Sequence, residues 1–503
     1  MNGLLTWMLL IPFAGGLLSW AVSRRPNAAR GVALLACALL TGLAAWLWYL
    51  RAPGGPLLAQ RAPWIPSLGI SYLLALDGLS LLLVLLVGLL GMVAVLASWR
   101  EITVRVGAFH FTLLAVLTGV IGVFLARDLL LFYFFWELML VPMYFLIGLW
   151  GHERRVYAAV KFFLFTFISG LFLLAAILAL AFLHRAATGV LTFDAGALLA
   201  TPLAPATAAW LMLGFFLAFA VKLPAVPVHT WLADAHTEAP TGGSILLAGL
   251  LLKTGAYGML RFALPLFPQA SLTWAPVAAW IGIAGILYGA FLSFAQRDFK
   301  RLVAFSSISH MGFVLLGIYA GTDLARLGAT LELFTHGLGT SALFLLSGSL
   351  LERTGTRDFR RLGGLWETAP KFGGFTLFFA LAALGLPGLG TFIAEFLVLL
   401  GAFQANPAWG IVGAVGLVLS LVYALRLVQD SVHGPNREPW RVPDLTGREL
   451  LALGALASGL LWLGLYPRPV LSTLTPSLRQ LAAPPSLSTL NSQVSIPSAE
   501  PSP

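Results

Sequence analysis

Fourteen stretches of the chain are long and apolar enough to cross a bilayer, and every other feature has to be fitted to them. They fall at roughly 3–22, 30–50, 76–99, 107–126, 128–150, 156–183, 207–236, 242–264, 275–296, 300–320, 324–351, 371–404, 408–430 and 447–466, close to the length that an α-helix needs to span the hydrocarbon. No water is present there to satisfy a free N–H or C=O, so each segment must pair its own backbone groups. The fold expected is an all-α polytopic membrane protein. Composition agrees: 59 % of the 503 residues are hydrophobic and 10 % charged, with mean hydropathy +0.91, a balance that no water-soluble core requires.

Several function classes drop out on the same residues. The net charge of +10 comes from basic residues scattered between apolar runs, as topology signals are, so nucleic acid is not an expected partner. Cys37 is the single cysteine and can build neither an intrachain disulfide nor a thiolate cluster. No GxxxxGK(S/T) loop is present for ATP. HTWLADAH at 229–236 places two histidines seven apart, without the arrangement of a zinc motif. The N-terminal run has Arg24 and Arg25 after it and no basic residue before it, which reads as a retained first span.

Two spans are interrupted. Span 7 runs into VKLPAVPVHTWLADAHTEAP at 221–240, where Pro224 and Pro227 each remove a donor and force a break beside Lys222. Span 12 carries GLPGLGT at 385–391. Irregular backbone at membrane depth persists only where protein or a wet cavity satisfies it, so a buried lysine at a break reads as an ion path. The plainer alternative is a kinked helix whose Lys222 extends to an interface. Lys222, His229 and His236 recur every seven residues, and share a face if the second half resumes as a helix.

The breaks suggest a repeat. Leu223–Pro224 and Leu386–Pro387 are 163 residues apart, and Arg127–Asp128 and Arg297–Asp298 are 170 apart. Spans 4–8 and 9–13 are therefore expected to be inverted five-helix units with broken helices 7 and 12. The organisation that follows is 1–106 (spans 1–3), 107–264 (first repeat), 265–430 (second repeat), 431–466 (a loop and span 14) and 467–503, a polar Ser/Pro-rich tail read as disordered. With the N-terminus outside, 18 lysines and arginines fall in cytoplasmic loops against eight in the opposite ones. The positive-inside rule then places both termini on the outer side.

The ionisable groups within the spans are few, and each is a candidate for ion movement. Glu137 lies at mid-depth in span 5 and must be protonated or paired. Lys253 is equally central in span 8 and is a plausible proton carrier. His310 and His336 sit near the middles of spans 10 and 11 among small and hydroxyl residues that leave room for water. Glu395 follows the break in span 12. For each, the bland alternative is a group hydrogen-bonded to a neighbouring helix. Lys161, Glu332, Asp77 and Asp234 are placed near span ends, as interfacial, capping or loop-closing groups.

FYFFWELMLVPMYFLIGLWG, KLPAVPVHTWLADAHTEAPTGGSILLAGLLLKTGAYGMLRF, FSSISHMGFVLLG and LPGLGTFIAEF resemble the proton-pumping membrane subunits of respiratory complex I, which are related to Mrp-type cation/proton antiporter subunits. The likeness covers about residues 70–430. Glutamate at 395, where other branches typically carry lysine, resembles the subunit M (chain 4) branch of NADH-quinone oxidoreductase, as does a chain lacking a long lateral helix after span 14. The resemblance implies a bacterial inner-membrane subunit that couples NADH-to-quinone electron transfer, catalysed elsewhere, to proton pumping. Flavin and iron–sulfur clusters would belong to partner subunits, with no cofactor or metal in this chain. Its partners would be other complex I subunits, including antiporter-like ones on either side, and lipid, with NADH and quinone met only through the complex. It also implies roles: Glu137 the acid paired with Lys222, Lys253 the central relay, His310 and His336 bridging relays, Glu395 the terminal group. An Mrp-type antiporter subunit, or a subunit of a membrane-bound hydrogenase, fits the same residues.

Overall fold

The computed structural model describes residues 3–50 and 58–482. Fourteen helical spans are found there. Spans 1 to 4 are Leu4–Ala21, Pro26–Leu50, Gly78–Glu101 and Val106–Leu125, and span 6 is Arg155–Thr188. Spans 8 to 11 are Thr241–Leu266, Pro268–Phe294, Phe299–Tyr319 and Asp323–Thr354. Spans 13 and 14 are Pro407–Ser431 and Gly447–Leu465. The other three are broken. Span 8 is buried along its whole apolar length and spans 10 and 11 over 94 % of theirs, against 33 % for spans 2 and 14. Spans 8, 10 and 11, which hold Lys253, His310 and His336, thus form the centre.

Lipid gives no hydrophobic drive between helices, so spans approach where side chains are small. Gly282 and Gly289 of span 9 lie so close to the backbone of span 10 that a methyl group on either would meet it at 2.8 and 2.5 Å. Gly249 of span 8 and Gly337 of span 11 likewise face each other.

The expected breaks are present. Span 7 ends at Lys222 and resumes at Trp231–Glu238, and span 12 consists of Pro370–Ala383 and Gly390–Ala405. Each is closed by an N–H reaching five residues back, Ala225 to Ala220 at 2.8 Å and Leu386 to Leu381 at 3.1 Å. Gly385 and Gly388 take φ of +75° and +95°, where a side chain would be strained. Because 223–230 is not helical, the spacing of seven does not build one face: His229 meets Tyr288 while His236 stacks on Phe344.

The 170-residue spacing has a structural counterpart. Asp128 caps span 5 through the N–H groups of Leu130 and Leu131, and Asp298 caps span 10 through that of Arg301. Leu129 N–H donates to Phe193 and Ala195 N–H to Arg127, while Phe299 N–H donates to Arg357 and Phe359 N–H to Arg297. The same two-rung bridge thus opens both spans. Five crossings separate them, so they lie on opposite faces of the bundle.

Three features depart from expectation. Span 5 is interrupted at Met139, between Leu129–Leu138 and Leu140–Trp150, because Pro142 has no N–H to offer the carbonyl of Leu138. An antiparallel hairpin, β1 Leu58–Ile65 and β2 Ile70–Leu76, lies between spans 2 and 3 in an otherwise helical chain. Its Leu73 carbonyl accepts from Arg127 N–H and its Ser71 donates to Asp128, tying it to the start of span 5. The tail read as disordered from 467 is instead helical over Arg468–Ala482. Val470, Leu474 and Leu478 are buried there, and Ser477 and Thr473 accept hydrogen bonds from Gly78 N–H and the Trp48 indole. Three apolar residues four apart suffice to dock this helix. The rest of that tail call, 483–503, lies outside the described residues.

Candidate functional site: a buried line of titratable side chains

The line begins on span 5. Glu137 is half-buried, directly before the interruption at Met139. Gly170 of span 6 makes room for it, since a methyl group there would collide with Oε1. Lys222, at the end of the first half of span 7, is 1 % exposed. Its Nζ has no hydrogen-bond partner and forms no direct ion pair with Glu137 among the described residues. Instead it lies 5.1 Å from the Trp136 ring centroid and 5.7 Å from that of Phe162, where the ring faces supply what attraction the ammonium has.

Span 8 passes close to this break. A methyl group on Gly255 would lie 2.6 Å from the Phe219 carbonyl and 2.8 Å from Leu223 N. Two widened π-type turns, Leu247–Leu251 and Met259–Ala263, flank Lys253, a distortion that recurs at functional sites. Lys253 is wholly buried and its Nζ donates to the Ala248 carbonyl at 2.6 Å. On its other side it meets His336 Nδ1, also at 2.6 Å.

His336 is followed by His310, which packs against it without a hydrogen bond, His336 Nε2 having no partner among the described residues. Its ring centroid lies 5.4 Å from that of His310. His310 Nδ1 is 2.9 Å from Glu395 Oε1, and Tyr423 of span 13 places its hydroxyl 3.5 Å from His310 Nε2. Glu395 sits against the break in span 12, its Oε2 3.1 Å from where a Cβ on Gly385 would be. Side-chain hydrogen bonds among the described residues join Lys253 to His336 and His310 to Glu395, whereas Glu137, Lys222 and Lys253 are not so joined to one another, nor is His336 to His310.

One member was misplaced by the sequence. Glu332, expected near a span end, is wholly buried, with Oε1 3.4 Å from His310 Nδ1. Span 11 has 32 residues, more than a bilayer crossing needs, so distance from its start is a poor guide to depth. The signal was there: Glu332 is one turn from His336 and on its face. Lys161 does pair with Asp234 at 2.7 Å, and Asp77 caps span 3, as expected of end groups.

A cavity of about 310 Å³ opens between spans 3, 8, 11 and 14, lined by Arg100, Glu101, His152, Thr241, Glu352 and Glu449 among others. Five residues before Thr241 in the chain, His236 is buried, stacked 4.6 Å from Phe344 and without a partner on either ring nitrogen among the described residues. Lys300 is close by, giving its Nζ to the Ala239 carbonyl at 2.5 Å. His229 and His236 do not converge on a common point.

Residues 126–420 match the family described as NADH:quinone oxidoreductase/Mrp antiporter, TM. NADH-quinone oxidoreductase subunit M of Pseudomonas aeruginosa is 54 % identical over 484 residues, 93 % of this chain and 95 % of that one. The chain belongs to the subunit M family. Subunit M of Escherichia coli is 51 % identical over 490 residues, covering 93 % and 96 %. A chain of respiratory complex I from Thermus thermophilus with bound NADH superposes with a TM-score of 0.86 at 36 % identity, covering 95 % of this chain and all of that one. A chain of the Mrp complex from a Dietzia species gives the same TM-score at 22 % identity over 98 % of both, a likeness of fold alone. The subunit M relatives run nearly the full length of this chain, so the buried line is embedded in a family match that extends well beyond it.

Proposed function

We propose that this chain is a proton-translocating membrane subunit of NADH:quinone oxidoreductase, driven by electron transfer that takes place in other subunits. The observation that carries this reading is the buried series Lys253, His336, His310 and Glu395 across the centre of the bundle, hydrogen-bonded at Lys253–His336 and His310–Glu395 with the two imidazole rings packed between, in a chain of the subunit M family. Buried ionisable groups within spans are costly and mark ion paths. An amine hydrogen-bonded to an imidazole, and an imidazole hydrogen-bonded to a carboxyl, are suited to passing a proton on, and a turn of either ring carries it across the packed histidine pair.

Glu137 and Lys222 form the input. When the carboxylate approaches, Coulomb attraction favours the ammonium, and when they separate the ammonium loses that support and sheds its proton towards Lys253. Lys253 then hands the proton to His336, His310 and Glu395. Moving one charge against 100 mV costs about 2.3 kcal/mol, which a change of a few ångströms between two charges in a low-dielectric site can supply.

In this reading the chain lies in a bacterial inner membrane with both termini on the outer side, as its basic residues direct. The cavity beside Glu101 and His152 then faces the cytoplasm and is the intake towards His236. The neighbours are other subunits of the complex, antiporter-like ones on either side included, and lipid. Flavin, iron–sulfur clusters and most of the quinone site belong to those partners. The test is purification of the native complex, with NADH:quinone turnover and proton uptake measured on vesicles carrying Lys222→Ala or Glu137→Ala. Both variants should assemble and lose coupled turnover. Normal pumping with assembly intact defeats the proposal, and Na⁺-dependent collapse of ΔpH without NADH oxidation would instead support an antiporter.

A further inference from the structure

We propose that Glu332 is a second proton-holding carboxylate at the far end of the line, sharing one exchangeable proton with Glu395 across His310. The inference rests on the reading of this line as a proton path and adds to it a residue for which that path has no role.

Geometry carries the argument. Glu332 Oε1 and Glu395 Oε1 approach the same His310 nitrogen, at 3.4 and 2.9 Å, and come from different spans, 11 and 12. Nδ1 carries one hydrogen and can donate it to one carboxylate at a time. Glu332 Oε2 is already occupied, accepting from the Thr335 hydroxyl at 2.7 Å. Its Oε1 and the Oε2 of Glu395 are buried and have no hydrogen-bond partner. Two carboxyl groups therefore compete for one donor, each with an acceptor atom unsatisfied.

The charges point the same way. The groups facing this cluster are His310 from span 10, His336 from span 11, Tyr423 from span 13 and, behind His336, Lys253 from span 8. Among the described residues neither carboxylate has a lysine or arginine in ion-pair range, and His310 is the ion-pair partner of both. One imidazolium balances one carboxylate, so the other is an uncompensated buried charge unless it binds a proton. The loaded cluster then holds two protons, one on His310 and one on a carboxyl, and is neutral. The discharged cluster holds one and carries a single negative charge. Loading takes one proton from His336 and discharge gives one to the outer side, with no other bond changed. The hydrogen of His310 turns from one carboxylate to the other, and the pair behaves as one titrating unit.

The experiment uses the assembled complex in membrane vesicles, with native gels for assembly and NADH oxidation by a soluble acceptor to show that the electron-input arm is intact. Glu332→Gln is nearly isosteric and keeps an acceptor for Thr335, so a purely structural Glu332 would tolerate it better than the shorter Glu332→Asp. A proton-holding Glu332 gives the opposite order. Coupled turnover should fall about tenfold in Glu332→Gln and return to within about threefold of the parent in Glu332→Asp, in keeping with the usual worth of a positioned acid–base group. The double variant Glu332→Gln/Glu395→Gln should be no slower than the slower single variant, since the two act as a unit. Full pumping by assembled Glu332→Gln, or better tolerance of Gln than of Asp, overturns the proposal. Should Glu332→Gln not assemble, pumping by Glu332→Asp decides, and its absence counts against the proposal. Glu395→Gln separates the two levels of inference: if it too pumps normally the proton path itself is wrong, whereas if it alone is inactive only the role of Glu332 falls.

Discussion

Lys253 Nζ and His336 Nδ1 meet at 2.6 Å across spans 8 and 11, although 83 residues separate them in the chain. Only one hydrogen fits between two nitrogens at that distance, so the ammonium and the imidazolium cannot both exist there. The contact depends on the close approach of Gly249 and Gly337, where neither helix offers a side chain to hold the other away. A methyl group at 249 would meet Leu90 and Ser341.

Replacing Lys253 should therefore stop the transfer without dismantling the bundle. Lys253→Met keeps most of the apolar volume and removes the proton. It should lower coupled NADH:quinone turnover at least about tenfold while leaving assembly unchanged. Lys253→Arg should not restore it, because a guanidinium does not deprotonate at accessible pH and its planar fork does not match a single ring nitrogen. Proton uptake by vesicles, normalised to NADH consumed, reads both. A Met variant that pumps at the parental rate would remove Lys253 from the path.

Glu137 is held by an absence. Gly170 on span 6 leaves the space its Oε1 occupies, and the neighbouring Trp136 carries the ring beside Lys222. Gly170→Val would push the carboxylate aside while adding only apolar surface to a helix that already faces lipid over much of its length. Coupled turnover should fall several-fold, with native gels unchanged and Gly170→Ala intermediate. Equal activity in all three would show that the position of Glu137 is not critical.

How much of this was legible in the sequence differs from residue to residue. Lys222 and Lys253 announced themselves, because a charge within an apolar run has no structural use there, and the prolines beside Lys222 located the break. The Asp128 and Asp298 bridges were visible as a spacing of 170, though their pairing with Asp194 and Asp358 was not. Glu332 was lost because a helix longer than the membrane hides which of its residues lie at mid-depth. The helix after Pro467 was lost because its mean hydropathy is unremarkable and only the alignment of Val470, Leu474 and Leu478 shows an apolar face. That Lys222 lies against the Trp136 and Phe162 rings depends on tertiary packing, which no spacing encodes.

The helix Arg468–Ala482 makes a stability prediction. Leu474 is wholly buried at its centre, between the hydrogen bonds that Thr473 and Ser477 accept. Leu474→Ala should cost about 2–4 kcal/mol of local docking energy, and Leu474→Asp more, since a charge would be buried without a partner. The measurable consequence is earlier proteolysis after Tyr466 in the purified complex, with turnover per assembled complex unchanged. Identical proteolysis rates would mean that the helix is held by something other than this residue.

Burial separates two ion pairs that look alike in the sequence. Arg353, at the end of span 11, gives Nη1 and Nη2 to the two oxygens of Glu449 at 2.9 and 2.7 Å, and Glu449 also accepts from Ser349 and from Thr446 N–H at the start of span 14. Both side chains are under a tenth exposed. Arg361 and Glu438 pair at 2.7 Å between two loops, with side chains 50 % and 41 % exposed. There the guanidinium holds the Glu438 carboxyl below its usual range, so its contribution is present above the ordinary glutamate value and is lost as pH falls through the lowered one. Water screens that pair, and Arg361→Ala should leave thermal unfolding of the complex at neutral pH unchanged. Arg353→Ala leaves a carboxylate buried with part of its bonding gone and should cost about 3 kcal/mol, seen as a lower unfolding temperature or as loss of span 14 from its place against span 11. Equal shifts for the two variants would mean that burial does not set the worth of these pairs, and would count equally against reading the inner ionisable groups by their burial.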